Sequence, residues 1–383
     1  MKRKIWYFGL EPLKERYTHQ LSTQWMPSAF EDYDVEFIHL KGDRQAGEIK
    51  VGSVLDAYGR GAYSMSQCQK FMKAIAKEEV QNNDVVFLQD FWTPGIEAVF
   101  YMLDLYNIEI KLYSMLHAQS VDEYDFTYPM APWMRPFELG IDAKHSGIFV
   151  GSTIHREQLR ASGFKAPIHV MSLPFGRKQA LQDAPKINDH YKKKNQVVFT
   201  SRFDKEKNPY FMMEVAKDFL ARNKSWNWVV TTSGSDFRSS MVGVVKDMKS
   251  FAKSNPRFVL KSGLTKEEYY GELMKSKIQF NSSLQDYVSW TLIESTLFDC
   301  DVVYPNFRSF PEILHKKEMY KPFNLKSAVK LLNKKAKKQK THQSISKISD
   351  MGRRAEAYIV INDLKGEYNI WHEFDLFNKL INS

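Results

Sequence analysis

Two acids, Asp286 and Glu294, stand eight positions apart in "SLQDYVSWTLIEST", separated by a polar and aromatic stretch. Carboxylates accept paired hydrogen bonds from vicinal hydroxyls, so such a pair suits a polyhydroxylated ligand, a ribose or another sugar. Upstream, "FTSRFDKEKNP" sets Arg202 and Lys207 between a strand-like run and a helix opening at Asn208-Pro209. Two cations beside a helix N-terminus offer a pyrophosphate both charge and backbone donors. "TTSGSD" places Gly234 in a turn at another strand end, and the backbone N–H groups of Tyr287, Val288 and Ser289 offer phosphate donors between the acids. Taken singly, each feature has an ordinary explanation: surface cations, a turn glycine, an Asp286 that caps a turn, a solvated Glu294. Their order along the chain is the stronger signal.

The elements that must position them alternate from start to end. Strand-like runs "KIWYFG", "DVEFIHL", "DVVFLQD", "IKLYSML" and "GIFVGS" are separated by helical spacing at Ser64–Glu79, by "GIEAVFYMLDLYN" with Thr93 as cap and Pro94 in its first turn, and, after Ser152, by "IHREQLRASG" closed at Gly163. Arg177–Asn195 is polar and aperiodic and reads as a linker. The alternation then restarts with "QVVFTSR", "WNWVVTTSG", "RFVLKSG", "IQFNSS" and "DVVYPNF". Asn208 and Pro209 open one intervening helix, and a Thr265/Glu268 capping box opens another. Apolar strands alternating with helices predict an α/β fold of two doubly wound parallel-sheet domains. The predicted bounds are 1–176, a linker over 177–195, and 196–365, with a last aromatic helix over about 366–383 that packs on either domain. Ligands of open α/β sheets bind at strand carboxyl ends, so the expected site is the cleft between the domains.

Composition limits the alternatives. The 383 residues, 43% hydrophobic and 26% charged, suit two globular domains. No apolar run approaches the roughly 18–20 residues of a membrane span, and "MKRKIWYFGLEP" reads as a first strand rather than a signal peptide. Cys68 and Cys300 are the only cysteines, too few for a disulfide scaffold or a cysteine-based zinc site. The expectation is a monomer in a reducing cytoplasm. A formal net charge of +10 and a pI near 9.2 predict attraction to polyanions.

Arg202 and Lys207, the glycine turn, "LTKEEYYGELMKSKIQFNSS", acid-x7-acid and "FPEIL" follow one another in an order that resembles the nucleotide-binding half of retaining GT-B glycosyltransferases of the GT4 type. The resemblance covers roughly Gln196–Leu314 and implies two Rossmann-like domains facing a cleft and a nucleotide-sugar co-substrate, a UDP-sugar foremost. By position, it implies that Glu294 holds the nucleotide ribose, Asp286 contacts the donor sugar, and Arg202 and Lys207 stabilise the departing diphosphate without a metal. Phe310-Pro311-Glu312 matches the family's recurring Pro-Glu, and His117, ending a first-domain strand, matches a histidine that faces the donor sugar. Three departures stand out. The first acid is Asp, Tyr287 and Val288 replace small glycines, and the first loop has only Gly9 where a double glycine is usual.

Asp90, Phe91 and Trp92, at a first-domain strand end, are candidates for the acceptor platform, or else pack the cleft edge. "DYD" (Asp32–Asp34) and "DCD" (Asp299–Asp301) look like metal motifs by chance. Lysines in "YKKKN", "HKKEMYK" and "KSAVKLLNKKAKKQK", the last an amphipathic helix with Leu325, Val329 and Leu332 inward, favour a polyanionic acceptor. Two acceptors fit: hydroxymethylated DNA, as for phage DNA glycosyltransferases of GT-B fold, or a lipid-linked or lipopolysaccharide acceptor on an anionic membrane. The front carries no clear basic amphipathic helix, "YTHQLSTQWMPSAF" being the one candidate, which tips the expectation toward DNA. A protein that binds a nucleotide sugar or DNA without turnover is the non-enzymatic alternative.

Overall fold

The computed structural model describes residues 4–12, 17–30, 35–43, 57–117, 120–170, 175, 177–186, 192–233 and 236–337. Gly234, Asp32–Asp34, Tyr191 of "YKKKN" and the expected last helix lie outside them. In the first half, β1 (Lys4–Phe8) leads into short helices α1 (Tyr17–Gln20) and α2 (Met26–Ala29), joined by a π-helical turn. β2 (Glu36–Leu40), α3 (Ala57–Ala76), β3 (Val85–Leu88), α4 (Ile96–Leu105), β4 (Lys111–Met115), α5 (Ala131–Asp142), β5 (Gly147–Val150), α6 (Thr153–Ala161) and β6 (Ile168–Val170) follow. After α7 (Arg177–Gln182), the second half runs β7 (Lys194–Phe199), α8 (Pro209–Arg222), β8 (Asn227–Ser233), α9 (Val244–Ser254), β9 (Phe258–Leu264), α10 (Lys266–Lys275), β10 (Ser276–Phe280) and α11 (Trp290–Leu297). It ends in β11 (Asp301–Pro305), α12 (Phe310–Ile313), β12 (Met319–Tyr320) and α13 (Leu325–Ala336).

The strands form two six-stranded sheets, ordered β2-β1-β3-β4-β5-β6 and β12-β11-β10-β7-β8-β9, with parallel neighbours throughout. Strands covered on both faces need continuous apolar runs. Val85–Leu88 and Val197–Phe199 are buried at every position. The strand order reverses between β1 and β3 and again between β7 and β10, which puts one ligand-binding switch point on each sheet.

Several local expectations hold. Ser152 Oγ accepts from His155 N–H at 3.4 Å, Gly163 closes α6 at a φ of 99°, and Thr265 and Glu268 form the capping box of α10. Three others do not. α4 is entered through Gly95 at a φ of 91°, and Thr93 Oγ1 instead donates to the Asp90 carbonyl at 2.7 Å. Asn208 is left-handed, at a φ of 48°, and caps α8 with no side-chain bond. The linker contains a helix, α7.

"YTHQLSTQWMPSAF" is not a surface helix. Leu21, Trp25, Met26 and Phe30 are buried in a core that runs across both halves, where Trp25 packs on Phe175 at 5.0 Å and on Trp290 at 5.3 Å. α13 does bury Val329 and Leu332, against the second sheet's core. Among the described residues, no helix is long and apolar enough to cross a membrane.

Candidate active site

At the second switch point, the loops after β7 and β10 are stitched together. Leu284 N–H donates to the Glu206 carbonyl at 2.7 Å, and Ser282 Oγ to the Lys207 carbonyl at 2.8 Å. This brings Lys207 to Asp286. The Lys207 ammonium donates to Asp286 Oδ1 at 2.9 Å and to the Gln285 carbonyl at 3.0 Å, with the lysine side chain 11% exposed and the aspartate 20%. Arg202 stands apart from this pair. Its guanidinium is 56% exposed and pairs with acids of its own loop, Glu206 at 2.9 Å and Asp204 at 3.7 Å. The charged cluster after β7 therefore contains a sequestered lysine and an arginine open to an incoming anion.

Glu294 is not a solvated helix residue. It lies in the second turn of α11, 3% exposed. Its Oε1 accepts from Lys266 at 2.8 Å and from the Tyr270 hydroxyl at 3.4 Å, and its Oε2 from the Tyr269 hydroxyl at 2.6 Å. Burial, then the Glu294 charge, hold the Tyr269 phenol well above its usual pKa, so it stays a donor. Ser289 caps α11, its Oγ accepting from Leu292 N–H at 3.3 Å.

Tyr287 and Val288 turn their side chains toward the first domain. The Tyr287 ring stacks on His155 at 3.8 Å, and its hydroxyl reaches Asp122 and, at 2.7 Å, Gln158. A Cβ on Gly151 would lie 2.4 Å from Val288 Cγ2, so glycine is what lets the domains approach there. Fully buried Asp122 also takes Arg308 Nη1 at 2.6 Å, and Arg308 Nη2 donates to Glu123 at 2.8 Å. Glu312, of the Pro-Glu motif, accepts from Thr153 N–H at 2.7 Å and Ile154 N–H at 2.9 Å, capping α6 across the cleft. The residues between and after the two acids thus tie the domains together.

The facing edge is built at the first switch point. His117 follows β4, half-buried, with Nε2 2.8 Å from the Gln89 carbonyl. Burial lowers its pKa, against the Asp90 charge, so the imidazole is neutral. A carbonyl only accepts, so Nε2 carries the proton and Nδ1 is left as an acceptor. Gly9, after β1, does not have a positive φ. Its need for glycine is steric, because a Cβ would lie 2.8 Å from His39 Nε2.

The three-residue acceptor platform divides. Phe91 is 1% exposed and stacks on His145 at 4.8 Å, so it belongs to the core and not to a ligand surface. Trp92 packs edge-on against Trp133 at 5.6 Å and Phe137 at 5.1 Å. Asp90 is buried beside Arg60 at 3.7 Å, and Arg60 also donates to the Trp92 carbonyl at 2.9 Å.

The sequence reading missed Arg60, Lys266, Tyr269, Asp122 and Arg308. Starting the helix at Ser64 cut off its first two turns and, with them, Arg60. The capping box did mark the start of α10, and Lys266 immediately follows its Thr265. Asp122 and Arg308, far apart in sequence, left no such mark. Among the described residues, no group of three or more His, Cys, Asp or Glu side chains could hold a metal ion. Asp301 of "DCD" pairs with Lys335 at 3.3 Å.

No family model and no curated protein matches the chain. Its fold is nevertheless shared with solved structures. HepE from Anabaena, in complex with UDP and glucose, is 10% identical, with a TM-score of 0.62 over 95% of this chain and 100% of that one. Sucrose-phosphate synthase from Thermosynechococcus elongatus is 11% identical, with a TM-score of 0.59 over 100% of both chains. A TarM mutant from S. aureus, in complex with fondaparinux, α-GlcNAc-glycerol and UDP, is 13% identical, with a TM-score of 0.52 over 83% of this chain. The chain spans about 59% of the TarM length. The fold is GT-B, two Rossmann-like domains facing a central cleft.

Proposed function

We propose that the protein is a retaining glycosyltransferase that takes a sugar from a UDP-sugar and delivers it to a hydroxyl of a polyanionic acceptor. The observation that carries this reading is the Lys207–Asp286 ion pair at the switch point, with buried Glu294 about one turn inside the helix that follows. In the reading, Arg202 and Lys207 take the diphosphate as its bond to the sugar breaks, and the α8 N-terminus adds donors. Glu294 holds the ribose, Asp286 meets the donor sugar, and His117 Nδ1 accepts from a sugar hydroxyl across the cleft. The acceptor oxygen bonds to the anomeric carbon on the face the phosphate leaves, and its proton passes to the departing phosphate. No step is given to a metal, so turnover persists in chelator. Tyr287–Ser289 N–H groups and Gly234 supply the remaining phosphate contacts.

The +10 charge and the lysines of α13 exposed to solvent support a polyanion as acceptor, with hydroxymethylated DNA first among them. A second reading, an acceptor at an anionic membrane, is favoured by a separate observation. Trp133 (53% exposed), Tyr128 (45%) and Met130 (37%) present apolar surface on the first domain. The test is incubation with UDP-sugars plus either hydroxymethylated DNA or anionic vesicles carrying lipid-linked sugar, read by mass spectrometry. A glycosylated product with the anomeric configuration kept is expected. Tight nucleotide binding with neither transfer nor donor hydrolysis would leave a binding protein instead.

A further inference from the structure

Phe323 stands where a bulky side chain is not expected. It lies in the turn between β12 and α13 at a φ of 55°, a left-handed backbone that bulky residues rarely adopt. Its ring is 59% exposed and meets Phe307 edge-on at 6.2 Å. The turn is pinned rather than loose. Lys321 N–H donates to Ser327 Oγ at 2.9 Å, Asn324 N–H to the Lys321 carbonyl at 3.2 Å, and Ser327 N–H to Asn324 Oδ1 at 2.8 Å. Strain of this kind persists where the surrounding structure holds it, and it gathers at binding sites. Phe307 directly precedes Arg308 of the domain seam, which puts the exposed ring on the seam side of the second domain.

The chain around this ring is strongly basic. Residues 306–337 carry eight lysines against two acids. Both acids are engaged, Glu312 at the start of α6 and Glu318 with His315 N–H at 3.1 Å. Lys326, Lys330 and Lys334 are exposed on one stripe of α13, and none forms an ion pair among the described residues. Four residues of helix separate them by about 6 Å along the axis at each step. A linear row of cations suits an anion that repeats along a strand, not a single phosphate. A bilayer is the poorer match, because α13 turns its apolar stripe, with Val329 and Leu332, into the second core and away from the lysines.

We propose that Phe323 and the α13 lysines bind a single nucleic-acid strand, with an unpaired base stacked on the Phe323 ring and phosphates along Lys326, Lys330 and Lys334. The inference rests on the polyanionic-acceptor reading above, and adds to it a docking surface outside the Lys207–Asp286 site and the form of the partner. A duplex hides its base faces inside the stack, so an exposed ring on a basic rim selects the unpaired strand. Every base has a π face, and the lysines read charge alone, so the surface holds a strand without choosing its sequence. The choice of the residue to be modified is then left to the cleft.

The test is fluorescence anisotropy of the full chain with labelled oligothymidylate of about 20 nucleotides, longer than one such site needs. An abasic strand of equal length and the matching duplex are measured beside it, and vesicles of phosphatidylcholine and phosphatidylglycerol by co-sedimentation. The wild type should bind oligothymidylate about 5- to 100-fold tighter than the abasic strand, the value of one stacked base. It should also bind it tighter than the duplex. Phe323→Ala should bring the first ratio within about 3-fold of unity, and Phe323→Trp should restore it. Replacing Lys326, Lys330 and Lys334 together by Gln should flatten the slope of log affinity against log salt by about 2, roughly 0.7 for each phosphate contact. Equal wild-type affinity for base-bearing and abasic strands, tighter binding to duplex, vesicle binding that Phe323→Ala abolishes, or no binding to any strand overturns the inference. No sugar nucleotide is present, so failure here leaves UDP-sugar transfer standing, while strand binding without transfer or donor hydrolysis counts against the transfer reading alone. The strand comparison needs no variant, so a misfolded one does not rescue the idea.

Discussion

The two carboxyl edges that face the cleft share an all-parallel architecture but not chemistry. Each sheet has six strands and one switch point. At β7/β10 the edge is ionic. Lys207 meets Asp286 at 2.9 Å, Lys266 meets Glu294 at 2.8 Å, and Arg202 stands exposed. At β1/β3 the edge holds a neutral histidine, aromatic rings, and one arginine whose charge is offset by Asp90 and Glu11. A diphosphate needs cations that it can reach, and a transferred sugar needs hydroxyl partners and apolar ring faces. The difference fits the proposal that the nucleotide binds at the second domain and that the sugar's reacting end meets the seam with the first.

Breaking the ionic edge should give the largest effects. Lys207→Ala is expected to lower turnover roughly 10²–10³-fold, about 3–4 kcal/mol of transition-state stabilisation, measured as initial rate of sugar transfer. Arg202→Ala should do less, because its 56% exposure leaves the charge screened. Glu294→Ala should weaken UDP binding and also cost about 3 kcal/mol in chemical denaturation, since it removes the acid that pairs with largely buried Lys266. Wild-type rates for Lys207→Ala together with wild-type UDP affinity for Glu294→Ala would erase the contrast between the edges.

How much of this was legible in the sequence follows the same division. The second half was readable because its site is local in sequence. Lys207 and Asp286 lie in the loops that follow β7 and β10 and Glu294 in the helix after the second loop, so apolar runs and helix starts indicated where all three emerge. What Glu294 touches was not readable, because burial depends on α10 lying across α11. In the first half, "DFW" marked the right strand end but not which rings face outward. Phe91 is sent to the core by His145 and Phe164, which lie far along the chain. The domain seam was the least legible part. Tyr287 and Val288, read as backbone donors to phosphate and as replacements for small glycines, also meet His155, Asp122 and Gly151 of the other domain.

That seam allows a sharper separation of the two regions. Arg308→Ala leaves the fully buried Asp122 carboxylate with one fewer donor and should cost about 2–3 kcal/mol in thermal or urea unfolding. Tyr287→Phe keeps the stack on His155 and removes the hydroxyl that Asp122 and Gln158 share, for about 1 kcal/mol. Both should leave UDP affinity within about 3-fold while shifting small-angle scattering toward more separated domains. A stability loss with no change in domain separation would move Arg308 out of the seam.

The smallest effect concerns protons. His155 is fully buried against Tyr287, neither ring nitrogen has a hydrogen-bond partner, and burial, with nearby His117 adding to it, lowers its pKa to about 3. Its folded pKa thus lies below its unfolded value near 6.5. Above that unfolded value both states are neutral and His155 makes no pH-dependent contribution. As pH falls below it, only the unfolded state takes up the proton, so stability drops by up to about 1.4 kcal/mol per pH unit until the folded pKa is reached. His39, His145 and His169 are lowered to about 4 for the same leading reason and add to the slope. His155→Phe should preserve the ring stack and remove one proton's share of that slope between pH 6 and 4, measured by urea unfolding at half-unit steps. An unchanged slope would mean that His155 is already solvated in the folded protein and that the seam beside Tyr287 is open.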